Sequence, residues 1–253
     1  MAEEKNAKKN VAGTKKKKRK LRLKKEVKGV LVFVLLIVAV CIFLGVLKHR
    51  TRFDFVESLP EIVLSVDETN ISLQEISYYI MKLEADVDQT ARLYDSQNPK
   101  AYWNVYLNQQ TAEGYESGYV SDLAKNAVMD YCIRDNIYYK EAVQSGFALS
   151  QEAMEGIRYE AQHAYETMSI RQREMTQLTA EQFALIMEKE ETAHQYMVKL
   201  ASGSDEGMLQ AIFLELDVGG DLYEQMKEKH VIAIDTNLWD NVKVGRVTIN
   251  YDK

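Results

Sequence analysis

Ile62-Val63-Leu64-Ser65-Val66-Asp67-Glu68-Thr69-Asn70-Ile71-Ser72-Leu73-Gln74-Glu75 changes its hydrophobic period partway along, and that change decides the architecture. The first five residues form a short β-branched run, and Asp67-Glu68-Thr69-Asn70 reads as the turn that ends it. Ser72 to Glu75 has the S-x-x-E form of a capping box, in which a hydroxyl takes an orphan N–H of a starting helix. Leu73, Ile76, Ile80, Leu83 and Val87 then recur at helical spacing, so one stripe faces a core.

Helical patterns dominate downstream. Asn98-Pro99 breaks the first helix, because a residue preceding proline avoids helical geometry. Ala101 to Leu107 is aromatic-rich and predicts a short helix. Val120 to Val143 is apolar almost all round, the mark of a central helix. Gly146 suits its C-terminal stop, and Ser150 can cap the next helix. There Met154, Ile157, Ala161, Ala164 and Met168 form the inward stripe. Thr179-Ala180-Glu181-Gln182 opens another helix, with Phe183, Ile186, Met187, Met197 and Leu200 inward. Gly203 and Ser204-Asp205 end it, and a further helical stretch reaches about Lys229, interrupted at Gly219-Gly220.

The tail returns to an extended pattern. Val231 to Asp235 predicts a strand, and Val242, Val244, Val247 and Ile249 alternate with a parity switch at Gly245, as at a β-bulge. Isolated strands are unstable, so the tail is expected to pair with Ile62–Val66 and bring the chain ends together. The expected fold is mainly α: a helical domain closed by a small sheet of its N- and C-terminal strands.

Upstream, Gly29 to Leu47 (GVLVFVLLIVAVCIFLGVL) is nineteen uncharged residues. At about 1.5 Å per residue, this length nearly matches the roughly 30 Å core of a bilayer. A 28-residue leader carrying thirteen of the chain's 32 Lys and Arg precedes it and is expected to stay cytoplasmic. A cleaved signal peptide would have a shorter core and a small-residue exit, whereas this run ends Val46-Leu47-Lys48-His49-Arg50. Cys41 follows Val38-Ala39-Val40, but Val40 is large for a lipoprotein cleavage box, and Cys41 reads as an ordinary membrane residue. The expected organisation is a basic leader (1–28), a transmembrane helix (29–47), a linker (48–61) and an extracytoplasmic domain (62–253). Within that domain, residues 158–221 either pack on the main body or form a helical arm.

Residues 53–253 hold 16 Lys and Arg against 35 Asp and Glu, a formal charge of −19. So acidic a domain does not bind nucleic acid by neutralising phosphates; it attracts basic chains weakly. The basic stretch Lys15 to Lys25 is expected to lie on anionic lipid headgroups. Cys132 has no cysteine partner on its own side of the membrane, which leaves the domain without an intrachain disulfide. Within an apolar helix it reads as a small hydrophobe.

Several segments, taken in order, resemble the SurA/PrsA-type chaperone domain. Val66 to Glu75 is similar to the family's opening strand, turn and helix. Tyr102-Trp103 resembles its short helix before the central one. Asp135-Asn136-Ile137-Tyr138-Tyr139-Lys140-Glu141-Ala142, with Gly146 and Leu149-Ser150, is similar to the end of the central helix and the start of the next. Leu222 to Met226, Val231 to Ile234 and Leu238-Trp239 resemble the last helix and return strand. The similarity covers roughly 62–157 and 221–247. Glu68 stands where the family often has glycine. The family also often inserts a parvulin-type isomerase between these segments; the interval of about 158–221 is too short for one and is helical in period. The resemblance therefore implies the chaperone scaffold without its isomerase.

Two E-x-x-H elements, Glu160 to His163 and Glu191 to His194, match half of a di-iron ligand set. His163 falls off the stripe of its helix while His194 lies near the Met187–Met197 side, so the two point in different directions and no metal site is expected. No phosphate loop, nucleophile elbow or H-E-x-x-H motif is present, and no catalytic residue or cofactor is assigned. What remains is fifteen Tyr and ten Met, adaptable contact residues that can hold varied apolar segments. Adjacent pairs such as Tyr78-Tyr79 and Tyr138-Tyr139 should not both face inward. The expected client-contacting residues are Tyr78, Tyr102, Trp103, Tyr106 and Tyr139, with Tyr102, Trp103 and Tyr106 as an exposed shelf. The expected function is a membrane-anchored holder of unfolded exported polypeptides. The alternatives are a structural subunit that binds one dedicated envelope partner and, third, a prolyl isomerase.

Overall fold

A computed structural model describes residues 53–251, apart from 112–113 and 204–207. The leader and the Gly29–Leu47 segment lie outside the described residues; among the described helices none is long and apolar enough to cross a membrane.

The opening strand β1 (Ile62–Val66) is where the hydrophobic pattern puts it. It turns at Asp67-Glu68 into a second strand, β2 (Thr69–Ser72), over residues whose composition reads as turn. The left-handed position of this hairpin is Asp67 (φ 52°), not Glu68. Aspartate tolerates that region, so Glu68 does not need the freedom of a glycine. Ser72 caps helix α1 (Leu73–Tyr94), its Oγ accepting from the Glu75 N–H. The reciprocal half of the capping box is given up, because Glu75 pairs instead with Lys189 and Ser72 pairs with Ile62 in the sheet.

Asn98-Pro99 ends the excursion after α1 and starts a 3-10 turn, Pro99–Asn104. The short helix expected over Ala101–Leu107 therefore stops early. Tyr106 and Leu107 belong instead to a hairpin, β3 (Tyr106–Thr111) with β4 (Gly114–Tyr119), in register from Tyr106↔Tyr119 to Thr111↔Gly114.

Helix α2 (Val120–Gln144) is the expected centre, contacting α1, the first hairpin's β1, the 3-10 turn and two later helices, Ala180–Ser202 and Asp221–Lys227. It stops at Gly146 (φ 73°), where Phe147 N–H reaches Ala142 O and Gly146 N–H reaches Val143 O. That pair of bonds is the left-handed helix stop that glycine permits. Helix α3 (Gln151–Thr167) is capped by Ser150. The short α4 (Ile170–Thr176) and the long α5 (Ala180–Ser202) both open on complete capping boxes, Ser169 with Gln172 and Thr179 with Gln182. Helix α5 packs on α2 and α3 packs on α5, so 158–221 is part of the body rather than a separate arm. Helices α6 (Leu209–Leu216) and α7 (Asp221–Lys227) flank the Gly219-Gly220 interruption.

Strand β5 (Ile232–Ile234) returns antiparallel to β1, giving the sheet order β2-β1-β5. The expected meeting of the chain's two strand-like ends is present. Asp67 fastens it from the turn: its carboxylate accepts from the Val231 N–H at 2.8 Å and faces His230 Nδ1 at 2.8 Å, with Lys140 on the same oxygen. These donors, Lys140 first, hold the Asp67 carboxyl below its usual range.

The rest of the tail is not a strand. After the short helix α8 (Thr236–Trp239), residues 240–251 run without ladder partners, although Val242, Val244 and Val247 are buried. What replaces the ladder is a single carboxylate. Glu84, fully buried on α1, accepts from Gly245 N–H at 2.6 Å and Val247 N–H at 3.0 Å on one oxygen. On the other it accepts from the N–H and hydroxyl of Thr248, each at 2.6 Å. Burial raises its affinity for a proton against the pull of these four donors. Gly245 is left-handed (φ 92°) and lies against the indole of Trp103.

Candidate functional site

Helices α1, α3 and α5 do not close on one another completely. Between them lies an open groove of about 850 Å³. Its apolar lining comes from Met81 on α1, Ile157 and Ala164 on α3, Met168 just after α3, and Phe183 and Met187 on α5. Three methionines from three separate segments give the wall side chains that repack readily around different shapes. The polar lining includes Lys82, Arg134, Glu160, Glu190, Glu191 and His194. Glu190 is held by Lys82 and by the Tyr78 hydroxyl, which donates to it at 2.6 Å, so α1 and α5 are bridged along the groove. Lys189 with Glu75, and Gln182 with Gln74, extend that bridging toward the start of both helices.

Of the five tyrosine and tryptophan positions expected to contact clients, only Tyr78 lines this groove. It is also core: 2 % exposed, with its ring edge-on to Phe183 at 5.1 Å. Trp103 is 5 % exposed and its Nε1 donates to the Tyr251 hydroxyl at 2.9 Å, so it packs under the tail instead of forming a shelf. Tyr102 is half-buried against Tyr94, and Tyr106 is exposed across from Tyr119 in the hairpin. Tyr139 is exposed, with Lys189 over its ring. The exposed shelf Tyr102-Trp103-Tyr106 therefore does not exist as such.

The expectation that Tyr78 and Tyr79 could not both be buried is also wrong: Tyr79 is 4 % exposed. Neighbours on a helix point about 100° apart, and α1 has cover on both sides. Tyr78 faces Phe183 of α5, while Tyr79 sits near Cys132 and Asp135 of α2. Tyr138 and Tyr139 do divide, one buried and one exposed.

The two E-x-x-H elements behave as their spacing predicted. Glu160, Glu191 and His194 reach the groove, whereas His163 is exposed and does not line it. His194 stacks edge-on to Phe213 at 5.6 Å. Among the described residues no group of three His, Cys, Asp or Glu is arranged to hold a metal. Burial drives the Cys132 thiol well above its ordinary range, which disfavours the nucleophilic thiolate.

Beside the groove, and sharing Lys82, Arg134 and Glu190 with it, is a smaller hollow of about 200 Å³. Asp135 forms part of its wall. Burial pushes the Asp135 carboxyl up to about 6; Arg134 pulls it down and the charge of Glu190 adds to the rise. Folding therefore takes up a proton between about pH 6 and the ordinary aspartate value near 4, and this group favours the folded state more as pH falls through that window. Compared with Asp135→Asn, the wild type should gain roughly 1–3 kcal/mol of relative stability between pH 7 and pH 4.5. Urea unfolding of both chains across that range measures it; a difference that stays flat or narrows would show the carboxylate already charged at pH 5.

The helical periodicity marks Met187, Phe183, Ile157, Ala164 and Met168 as inward-facing, which they are, but gives no sign that their common interior is left open. Compared with protein-family models, curated proteins and solved structures, the chain matches none.

Proposed function

We propose that this domain is a non-enzymatic holder of unfolded polypeptides, tethered through Gly29–Leu47 with its leader on anionic lipid at Lys15 to Lys25. The SurA/PrsA-type resemblance supports the same reading: a chaperone scaffold without an isomerase. The observation that carries it is the open groove of about 850 Å³, walled by methionine, isoleucine and phenylalanine, with Glu160, Glu190 and Glu191 beside Lys82 and Arg134 in its lining. An apolar segment gains burial there without a sequence demand, and the acidic charge of the domain favours basic clients. A tether raises the local concentration of such a weak site near emerging chains.

Gly156 supplies the test. It lines the groove on α3, and a Cβ added there meets nothing within 4 Å. Gly156→Trp therefore places an indole in the groove while removing an unfavourable helix glycine. Withholding some 60 Å² of apolar burial at about 25 cal/mol per Å² should weaken holding about ten-fold. Suppression of aggregation of several unrelated denatured proteins, measured against the concentration of full-length chain in mild detergent, should show that loss with no fall in melting temperature. Wild-type protein that suppresses none of them, or a Trp variant equal to wild type, sinks the reading.

A further inference from the structure

We propose that the hollow walled by Tyr79 and Asp135 is a subsite for a lysine ammonium group of the bound polypeptide. This rests on the holding role of the adjoining groove. Asp135 is 1 % exposed, and Arg134 occupies only its Oδ1, from Nε at 2.9 Å and Nη2 at 2.8 Å. Its Oδ2 is buried with no hydrogen-bond partner among the described residues, and so is the Tyr79 hydroxyl. Both residues line the same 200 Å³ space. Buried polar atoms in native proteins nearly always have partners. An unpaired carboxylate oxygen and an unpaired hydroxyl, on two residues that line one hollow at the edge of an apolar groove, fit a donor that arrives with the ligand.

The charge of the hollow selects the donor. Asp86, Asp135, Glu190 and Asp217 line it against Lys82 and Arg134. Both cations are already engaged, Lys82 with Glu190 and Arg134 with Asp135 and Asp217. The remaining charge is negative, so a cation enters and an anion does not. A lysine head is compact, carries three donors, and ends a flexible apolar stem that can lie along the methionine wall. A guanidinium needs a flat fork of acceptors, and Arg134 already fills that role. The occupant is thus an apolar segment with a lysine. Its apolar residues lie in the groove and its ammonium sits in the hollow.

The test compares two fluorescent peptides of one apolar sequence, with a central lysine or its neutral acetylated form, binding to the full-length chain in mild detergent. Anisotropy should show the lysine peptide binding about ten-fold tighter. Asp135→Asn should bring the two within about two-fold by weakening only the lysine peptide. Asp86 lines the hollow but is exposed, so Asp86→Lys leaves the interior intact and should also erode the preference; it decides the question if the asparagine variant does not fold. Equal binding of both peptides to wild type would mean that the hollow holds only water, and would overturn the subsite while leaving the groove. Discrimination that survives Asp135→Asn would place the ammonium elsewhere and also overturn it. Failure of both peptides to bind would remove the groove reading and the subsite with it.

Discussion

Glu84→Gln should destabilise the domain by about 3 kcal/mol, although it conserves volume and shape. The carboxylate receives four donors, two on each oxygen, and an amide can face only two of them as an acceptor. The other two would meet an NH₂ group in a fully buried site. For a chain of this size the loss corresponds to a fall in melting temperature of roughly 6–12 °C. The tail from Lys243 onward should become the first site of protease cleavage. A loss below about 1 kcal/mol would show that apolar packing of Val242, Val244 and Val247, not the carboxylate, secures the tail.

Gly245→Val should cost about as much for a different reason. The backbone there is left-handed, and a Cβ would stand 2.5 Å from Cε3 and 2.7 Å from Cδ2 of Trp103. A β-branched residue in that conformation costs roughly 1–3 kcal/mol in strain, and displacing a packed indole costs a similar amount again. The Trp103 side chain, hydrogen-bonded to Tyr251, has little room to retreat. Thermal unfolding should reveal a loss of roughly 3–5 kcal/mol, with tryptophan fluorescence shifted toward that of a wetter ring. A valine variant as stable as wild type would mean that the tail can lift from Trp103 at no cost.

Those two residues also mark where the sequence is legible and where it is not. Ser72, Ser150 and Thr179 announce their helices because a cap is satisfied within three residues, and each does cap a helix. The central helix and the β1–β5 pairing are legible for a similar reason, since apolar runs and strand-like ends are local patterns with few global solutions. The alternation of Val242, Val244, Val247 and Ile249 misleads because alternation reports which side chains are buried, not what binds the backbone. The partner of that backbone is Glu84, 161 residues from Gly245, and a glutamate midway along a helix looks like a solvated face. The hairpin of β3 and β4 escapes the pattern because Asn108 to Thr111 carries no alternating apolar residues. The groove is half legible: its side chains read as inward, but a space left between three helices depends on how far apart their axes settle.

The placement of β5 beside β1 has a consequence for how the molecule is made. A polypeptide leaving the ribosome from its N-terminal end exposes one edge of Ile62–Val66, and the Glu84 carboxylate, until residues 232–248 have followed. No shorter length can supply those contacts, so a chain stalled before that point presents an open strand edge and an unsatisfied carboxylate of its own.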